Sequence, residues 1–304
     1  MKSDFIWLNG ELVPYHQATV HFLSPTLHYG LGVFEGIRCY ETPSGAAVFR
    51  LHDHMNRFLD GCRIFGVLDL PFGIEELVQA TYATISANGF SSCYIRPLLY
   101  LDGPLGLNLD ASQPQIGIAT WEWGTYLGEE ALESGVHMMV SSFTRHHINV
   151  SMTKAKICGN YVNSALAKTL AVRSGYDEAV MLDPQGYVAE CSGENLFMVR
   201  DDVVYTPYNA TILEGITRDS VIKLVTDMGH QVIEEPITRD QLYIADEVFV
   251  CGTAAEVTPV RAIDFRTVGT GGRGKVTKEV QDAFFQTVSG HGDRSGEWLN
   301  FVEG

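Results

Sequence analysis

The chain has 304 residues, 45% of them in the AVILMFWYC set, with 21 Lys and Arg against 37 Asp and Glu and a formal charge of −16 at pH 7. That length suits one large or two medium domains with real cores, and rules out a disulfide-stapled miniprotein or a disordered tail. The negative balance argues against duplex nucleic acid and anionic membranes as partners, since both attract positive surfaces. No apolar run approaches the roughly 20 residues of a spanning helix, and MKSDFIWLNGELV lacks the basic-then-apolar layout of a signal peptide, so a cytoplasmic protein is expected. The six cysteines (Cys39, Cys62, Cys93, Cys158, Cys191, Cys251) form no C-x-x-C pair; buried free thiols are expected, with no zinc or redox motif. Only seven lysines are present, at 2, 154, 156, 168, 223, 275 and 278, so covalent amine chemistry has few candidates.

In chain order, Asn9-Gly10 between IWL and ELV predicts a hairpin, because both residues tolerate positive φ. VFRL reads as a strand. Leu51, Met55, Phe58, Leu59 and Cys62 recur at helical spacing, and a second helix reads from Ile74 to Gly89. CYIRPLLYL is strand-like. Residues 1–122 are expected to form a small α+β domain, and the aperiodic, glycine-bearing stretch 123–135 the interdomain connection. Residues 136–304 then form a larger α+β domain carrying Lys156. It opens with VHMMVSSFTR as a strand and GNYVNSALAKTLAVRSG as a helix with Val162, Ala165, Leu166 and Leu170 on one stripe. AVMLD, GYVAEC, NLFMVR and VVYTP follow as strands divided by turn residues. A helix at Ile216–Met228, the strand EVFVCG and a helix from about Val276 to Val288 complete it. Helices and strands do not alternate regularly, so nothing calls for a doubly wound parallel sheet.

Two phosphate-loop patterns fail on inspection. Gly269–Lys275 has Walker spacing, but Val276 follows and carries no hydroxyl for magnesium. Gly30-Leu-Gly-Val-Phe-Glu-Gly36 is one residue too long for the dinucleotide fingerprint and comes too early for a βαβ unit. There is no G-x-S-x-G elbow. His52 and His54 are two apart on a helix and face different ways, while His146 and His147 are adjacent in a polar stretch, so structural or solvated roles are expected and no metal.

What remains centres on Lys156. In TKAKICGNY this amine precedes a small-residue turn and a helix start, where desolvation would lower its pKa toward that of a nucleophile and base; the competing reading is a surface charge. Glu190 ends the strand GYVAE, either as a solvated rim carboxylate or as a site group. Leu213–Arg218 opens a helix whose N–H groups, dipole end and Thr217 hydroxyl form an anion seat, or simply a capped helix. Cys251–Glu256 leaves a strand through small residues whose N–H groups suit a second anion.

Taken together, HYGLGVFEGIRCY (28–40), HMNRF (54–58), YIRPL (94–98), WGTYLG (123–128), TKAKICGNY, AECSGENLF (189–197), LEGITRD and CGTAAEVTPVR resemble the branched-chain amino acid aminotransferases, pyridoxal phosphate enzymes of fold type IV. The resemblance runs in order from residue 5 to about 285. It implies a two-domain α+β fold with the cofactor between the domains, and a homodimer or a larger assembly of dimers. Lys156 matches the Schiff-base lysine and Glu190 the carboxylate paired with the pyridine nitrogen. Arg57, Ile216, Thr217 and Thr253 match phosphate contacts, Tyr161 the tyrosine beside the cofactor hydroxyl, and Leu213 the residue on the ring face. For the substrate, the resemblance implies Tyr94 and the N–H groups of Thr253 and Ala254 at the α-carboxylate, and Phe34, Trp123, Tyr126 and Tyr161 around the side chain. Arg96 would receive the distal carboxylate of glutamate, with Arg38 also in the substrate site. Tyr29, Leu105 and Leu107 would reach the neighbouring subunit's site.

The implied reaction moves the amino group of L-leucine, L-isoleucine or L-valine to 2-oxoglutarate in a ping-pong cycle, with small amino and 2-oxo acids as the only partners besides a second copy. Within the same fold the alternatives are D-amino acid transaminase, R-selective amine transaminase and aminodeoxychorismate lyase. Outside it stand a non-catalytic binding protein or a P-loop nucleotide binder. Cys158 departs from the family pattern, standing where many members have a second glycine before Gly159.

Overall fold

The computed structural model describes residues 3–124, 126–208 and 210–302. In chain order its first elements are β1 (Phe5–Leu8), β2 (Glu11–Pro14), α1 (Pro25–Tyr29), β3 (Gly32–Phe34), β4 (Ile37–Thr42), β5 (Gly45–Phe49), α2 (Leu51–Phe65), α3 (Ile74–Asn88), β6 (Cys93–Asp102) and β7 (Gln113–Trp121). After these come α4 (Ala131–Ser134), β8 (Val136–Val140), α5 (Tyr161–Arg173), β9 (Glu178–Leu182), β10 (Val188–Cys191), β11 (Asn195–Arg200) and β12 (Val203–Thr206). The chain ends with α6 (Ile216–Asp227), β13 (Val232–Glu234), α7 (Arg239–Tyr243), β14 (Glu247–Gly252), β15 (Glu256–Ile263), β16 (Arg266–Thr267), α8 (Lys275–Val288), α9 (Ser295–Trp298) and β17 (Leu299–Phe301).

Contacts divide the chain into two compact units: the residues up to Trp123 with Lys154–Asn160 and everything from Thr287 onward, and Gly124–Thr153 with Tyr161–Gln286. In the first, an antiparallel sheet runs β17-β5-β4-β6-β7-β1-β2, with β3 also paired to β6. Asn9 (φ 50°) and Gly10 (φ 101°) make the tight turn between β1 and β2. Helix α2 buries Leu51, Met55, Phe58, Leu59 and Cys62 and ends on Gly66 in the left-handed region. α3 starts on a Gly73 N–H to Glu76 bond of 2.8 Å and stops at Gly89. Both helices pack on one face of the sheet with Ile37, Ile95, Leu99, Ile116 and Ile118, each such side chain contributing about 1.5–3 kcal/mol by leaving water.

The second unit is a mixed sheet, β10-β9-β8-β15-β14-β11-β12-β13, with β16 on β15. Among the described residues, β8 with β9, β8 with β15, and β12 with β13 pair in parallel.

Three expectations change. The segment holding Lys156, assigned by sequence to the larger C-terminal domain, groups with the first unit. Phe34 N–H donates to Lys156 O at 3.0 Å, Gly159 N–H to Gly30 O at 3.0 Å, and Val33 bridges Ile157. The tail groups there too, because β17 pairs with β5. On α5 the stripe Val162, Ala165, Leu166 is exposed, and the small residues Ser164, Ala167 and Ala171 are buried instead. Small side chains let this helix lie close to Ala179 and Met181 on β9, a fit that apolar spacing does not register. Finally, VFRL ends as a strand at Phe49, because Arg50 turns into the left-handed region (φ 51°) to start α2.

Among the described residues no helix is long and apolar enough to cross a membrane, and no group of three or more His, Cys, Asp or Glu is placed to hold a metal ion. All six cysteines are free; five are buried and Cys158 is half-buried.

Candidate active site

The first unit gathers a cationic, aromatic cluster. Lys156 is half-buried, its Nζ 5.5 Å from the centre of the Phe34 ring, on a segment fixed to β3 by the main-chain bond to Phe34. Lys154, the neighbouring lysine of the motif, is half-buried as well. Phe34 is shared with Arg96, whose guanidinium carbon lies 4.6 Å from the same ring centre, so Lys156 and Arg96 meet one aromatic ring. Strand β6 alternates so that Tyr94 and Arg96 share a face, and Arg96 NH2 donates to the Tyr94 hydroxyl at 3.2 Å. Arg96 Nε is buried with no hydrogen-bond partner. Burying a cationic N–H unpaired is costly, which marks it as a donor awaiting an anionic ligand. Arg38, one strand over, is buried and donates to Trp123 O at 3.0 Å, so it holds the Trp123 backbone.

Arg57 projects from α2 onto Glu35 just past β3. Its Nε and NH2 donate to the two Glu35 oxygens at 2.7 and 2.9 Å, a bidentate pair that fixes the plane of the guanidinium. His54 Nδ1, one helical turn earlier, sits 2.9 Å from Glu35 Oε2. Burial works against the Glu35 charge, yet Arg57 and the hydrogen bonds hold its carboxyl well below the usual carboxylate range. Burial pushes His54 down in spite of Glu35, so the imidazole is neutral at pH 7. His54 is therefore a buried hydrogen-bonding histidine.

In the second unit Glu190 is the penultimate residue of β10, buried, with both oxygens engaged. Oε1 meets Arg145 NH2 at 2.8 Å, and Oε2 accepts from Asn195 Nδ2 at 3.2 Å and from Leu213 N–H at 3.1 Å. Asn195 Nδ2 also donates to Leu213 O at 3.1 Å, which ties the strand pair to the segment before α6. α6 begins at Ile216 after Gly215 with no side-chain cap, and Ile216 and Thr217 are buried in its first turn. Thr253 and Ala254 form the turn between β14 and β15, and Tyr126 N–H donates to Ala254 O at 3.4 Å. Tyr161 opens α5, half-buried. Tyr29, Leu105, Leu107 and Trp123 are exposed, Leu107 by 77%.

Within each unit, then, the expected residues converge: Lys156, Phe34, Tyr94 and Arg96, with Arg57 on Glu35, in one; Glu190 and Leu213 in the other. Sequence reasoning missed Glu35, His54, Arg145 and Asn195 as site groups. His54 and Arg57 stand three apart in HMNRF, and Asn195 lies just across a tight turn from Glu190, so both carried a local signal. Arg145 lies far from Glu190 in the sequence and had none.

The model of the amino-transferase class IV family matches residues 32–263. A branched-chain-amino-acid aminotransferase of Pseudomonas aeruginosa is 49% identical over 304 residues, covering 99% of this chain and 98% of that protein. The crystal structure of the Escherichia coli branched-chain amino acid aminotransferase superposes with a TM-score of 0.97 at 46% identity, covering 99% of this chain and all (100%) of that one. The branched-chain amino acid aminotransferase of Thermobaculum terrenum, in its PLP-bound holo-form, gives a TM-score of 0.93 at 34% identity, with 99% of each chain covered.

Proposed function

The chain belongs to the class IV amino-transferases, and we propose that it moves the amino group of L-leucine, L-isoleucine or L-valine reversibly to 2-oxoglutarate, with pyridoxal 5′-phosphate as carrier. The observation that carries this reading is Glu190, a buried carboxylate held by three N–H donors from Arg145, Asn195 and Leu213. A carboxylate so fixed is suited to face a protonated ring nitrogen.

In this reading the phosphate would be met by Arg57, whose guanidinium Glu35 holds in plane, by Ile216 and Thr217 in the first turn of α6, and by Thr253. When bound, pyridoxal phosphate supplies an aldehyde carbon that takes up the amino group and a ring that draws electrons from the bond to the Cα hydrogen. In this reading Glu190 would keep the proton on the ring nitrogen, Leu213 would pack on the ring face and the Tyr161 hydroxyl would meet the ring hydroxyl. In the first half-reaction Lys156 Nζ would take the proton from the donor's Cα and give it up again, and in the second it would deliver a proton to the carbon that carried the acceptor's carbonyl.

Tyr94 and the N–H groups of Thr253 and Ala254 hold the α-carboxylate. Phe34, Trp123 and Tyr126 bury an aliphatic side chain, worth about 1.5–3 kcal/mol. Arg96 answers the distal carboxylate of glutamate, so a single pocket serves both half-reactions and the kinetics are ping-pong. The exposure of Tyr29, Leu105 and Leu107 supports a homodimer in which these side chains complete the neighbouring subunit's site. The compartment proposed is the cytoplasm.

Purified holoenzyme offered L-leucine, D-alanine and 1-phenylethylamine with 2-oxoglutarate tests the assignment. Turnover of L-leucine is expected; turnover of D-alanine alone overturns it.

A further inference from the structure

Behind Tyr126 lies a cluster of charge to which the reaction above gives no role. Glu178 on β9 is fully buried, and Lys168 from α5 reaches its Oε2 at 2.6 Å while also donating to Asp177 O at 2.7 Å. The same ammonium sits 5.0 Å from the centre of the Tyr126 ring and hydrogen-bonds its hydroxyl. Glu194, also buried, faces this group; burial and the Glu178 charge push its carboxyl up to about 8. Burial works against the Lys168 charge, yet the Glu178 carboxylate beside it raises the pKa of the ammonium. Lys168 is on the sheet side of α5, with Ser164, Ala167 and Ala171.

Tyr126 itself is on a turn outside the helices and strands, and its main-chain N–H donates to Ala254 O at 3.4 Å. A cation held on a buried carboxylate and laid against the ring fixes the place of that ring.

We infer that Lys168 is a positioning residue for substrate specificity: anchored on Glu178, it sets the place of the Tyr126 ring and so the shape of the pocket for the branched side chain. This rests on the reading of Tyr126 as a pocket wall. Lys168 acts through Tyr126, whose ring it lies against.

The test is a double-mutant cycle on the holoenzyme with L-leucine and 2-oxoglutarate. K168M raises KM for L-leucine about two- to fivefold, the size of a lost cation over an aromatic face, with kcat and bound pyridoxal phosphate unchanged. In a Y126A background the same change alters KM by less than about 1.5-fold, because the element Lys168 acts through is gone. Should K168M fail to fold with Glu178 left unpaired, K168M/E178Q removes both charges and carries the same expected KM shift. An unchanged KM in the folded variant, or effects of K168M and Y126A that simply multiply, overturns the inference while leaving the branched-chain reading intact. A wild-type enzyme that does not turn over L-leucine overturns both.

Discussion

Gly30 and Gly159 meet backbone to backbone: Gly159 N–H donates to Gly30 O at 3.0 Å, and a Cβ built on Gly30 would lie 2.8 Å from Gly159 Cα. Gly30 also sits at φ 70°, where a side chain is strained. This contact seats the Lys156 segment against the first unit's sheet. Gly30→Ala is expected to cost about 2–4 kcal/mol from left-handed strain and overpacking together, and to lower turnover by displacing Lys156. Urea denaturation and initial rates check both; a variant within about 0.5 kcal/mol of wild type would show the contact to be dispensable.

A milder steric change isolates substrate binding. A Cβ on Gly36 would overlap the Tyr94 hydroxyl, the far end of a side chain that can swing aside. Gly36→Ala should therefore push Tyr94 off the α-carboxylate and raise KM for amino donors about tenfold or more, the worth of one charge-assisted hydrogen bond. Cofactor content should stay at the wild-type level. Cofactor loss with unchanged KM would contradict the assignment of Tyr94.

Phosphate binding should depend on a residue that need not touch the phosphate. Glu35→Ala leaves Arg57 and His54 without their shared carboxylate, costing about 3–5 kcal/mol of stability as a broken buried pair. It should also weaken pyridoxal phosphate retention during dialysis. Retention equal to wild type would mean that Arg57 needs no orientation by Glu35.

Glu194 gives the folded protein a pH signature. Its carboxyl is raised to about 8 by burial and by Glu178, so folding favours the protonated form. That stability is fully present below the ordinary carboxylate pKa and is lost as pH rises through about 8. Glu194→Gln stays neutral throughout, so its stability relative to wild type should improve between about pH 5 and pH 9. Urea midpoints across that range measure it; a constant difference would show that Glu194 ionises freely in the folded chain.

Much of this was legible in the sequence where one local rule decided the outcome. Asn9-Gly10 reads as a hairpin because two positive φ values are needed there, and α2 reads correctly because Leu51, Met55, Phe58, Leu59 and Cys62 bury against a sheet. The stripe on α5 misled because periodicity locates an apolar face but not what covers it, and here the sheet takes the small residues instead. β15, the central strand between β8 and β14, was missed as an element: it contains Pro259 and begins at Glu256 with φ 54°, both poor strand signals. Lys156 and Glu190 stood out through the family's motifs, whereas Arg145 and Glu35 act through contacts made only by the folded chain.

The central claim is that Lys156 is the amine that carries the cofactor. Borohydride reduction of the enzyme loaded with pyridoxal phosphate, followed by peptide mass mapping, tests it directly. The pyridoxyl mass is expected on Lys156 within TKAKICGNY, and Lys156→Ala should abolish both the label and L-leucine turnover. A label on Lys154 or any other lysine in the unaltered enzyme would contradict that assignment.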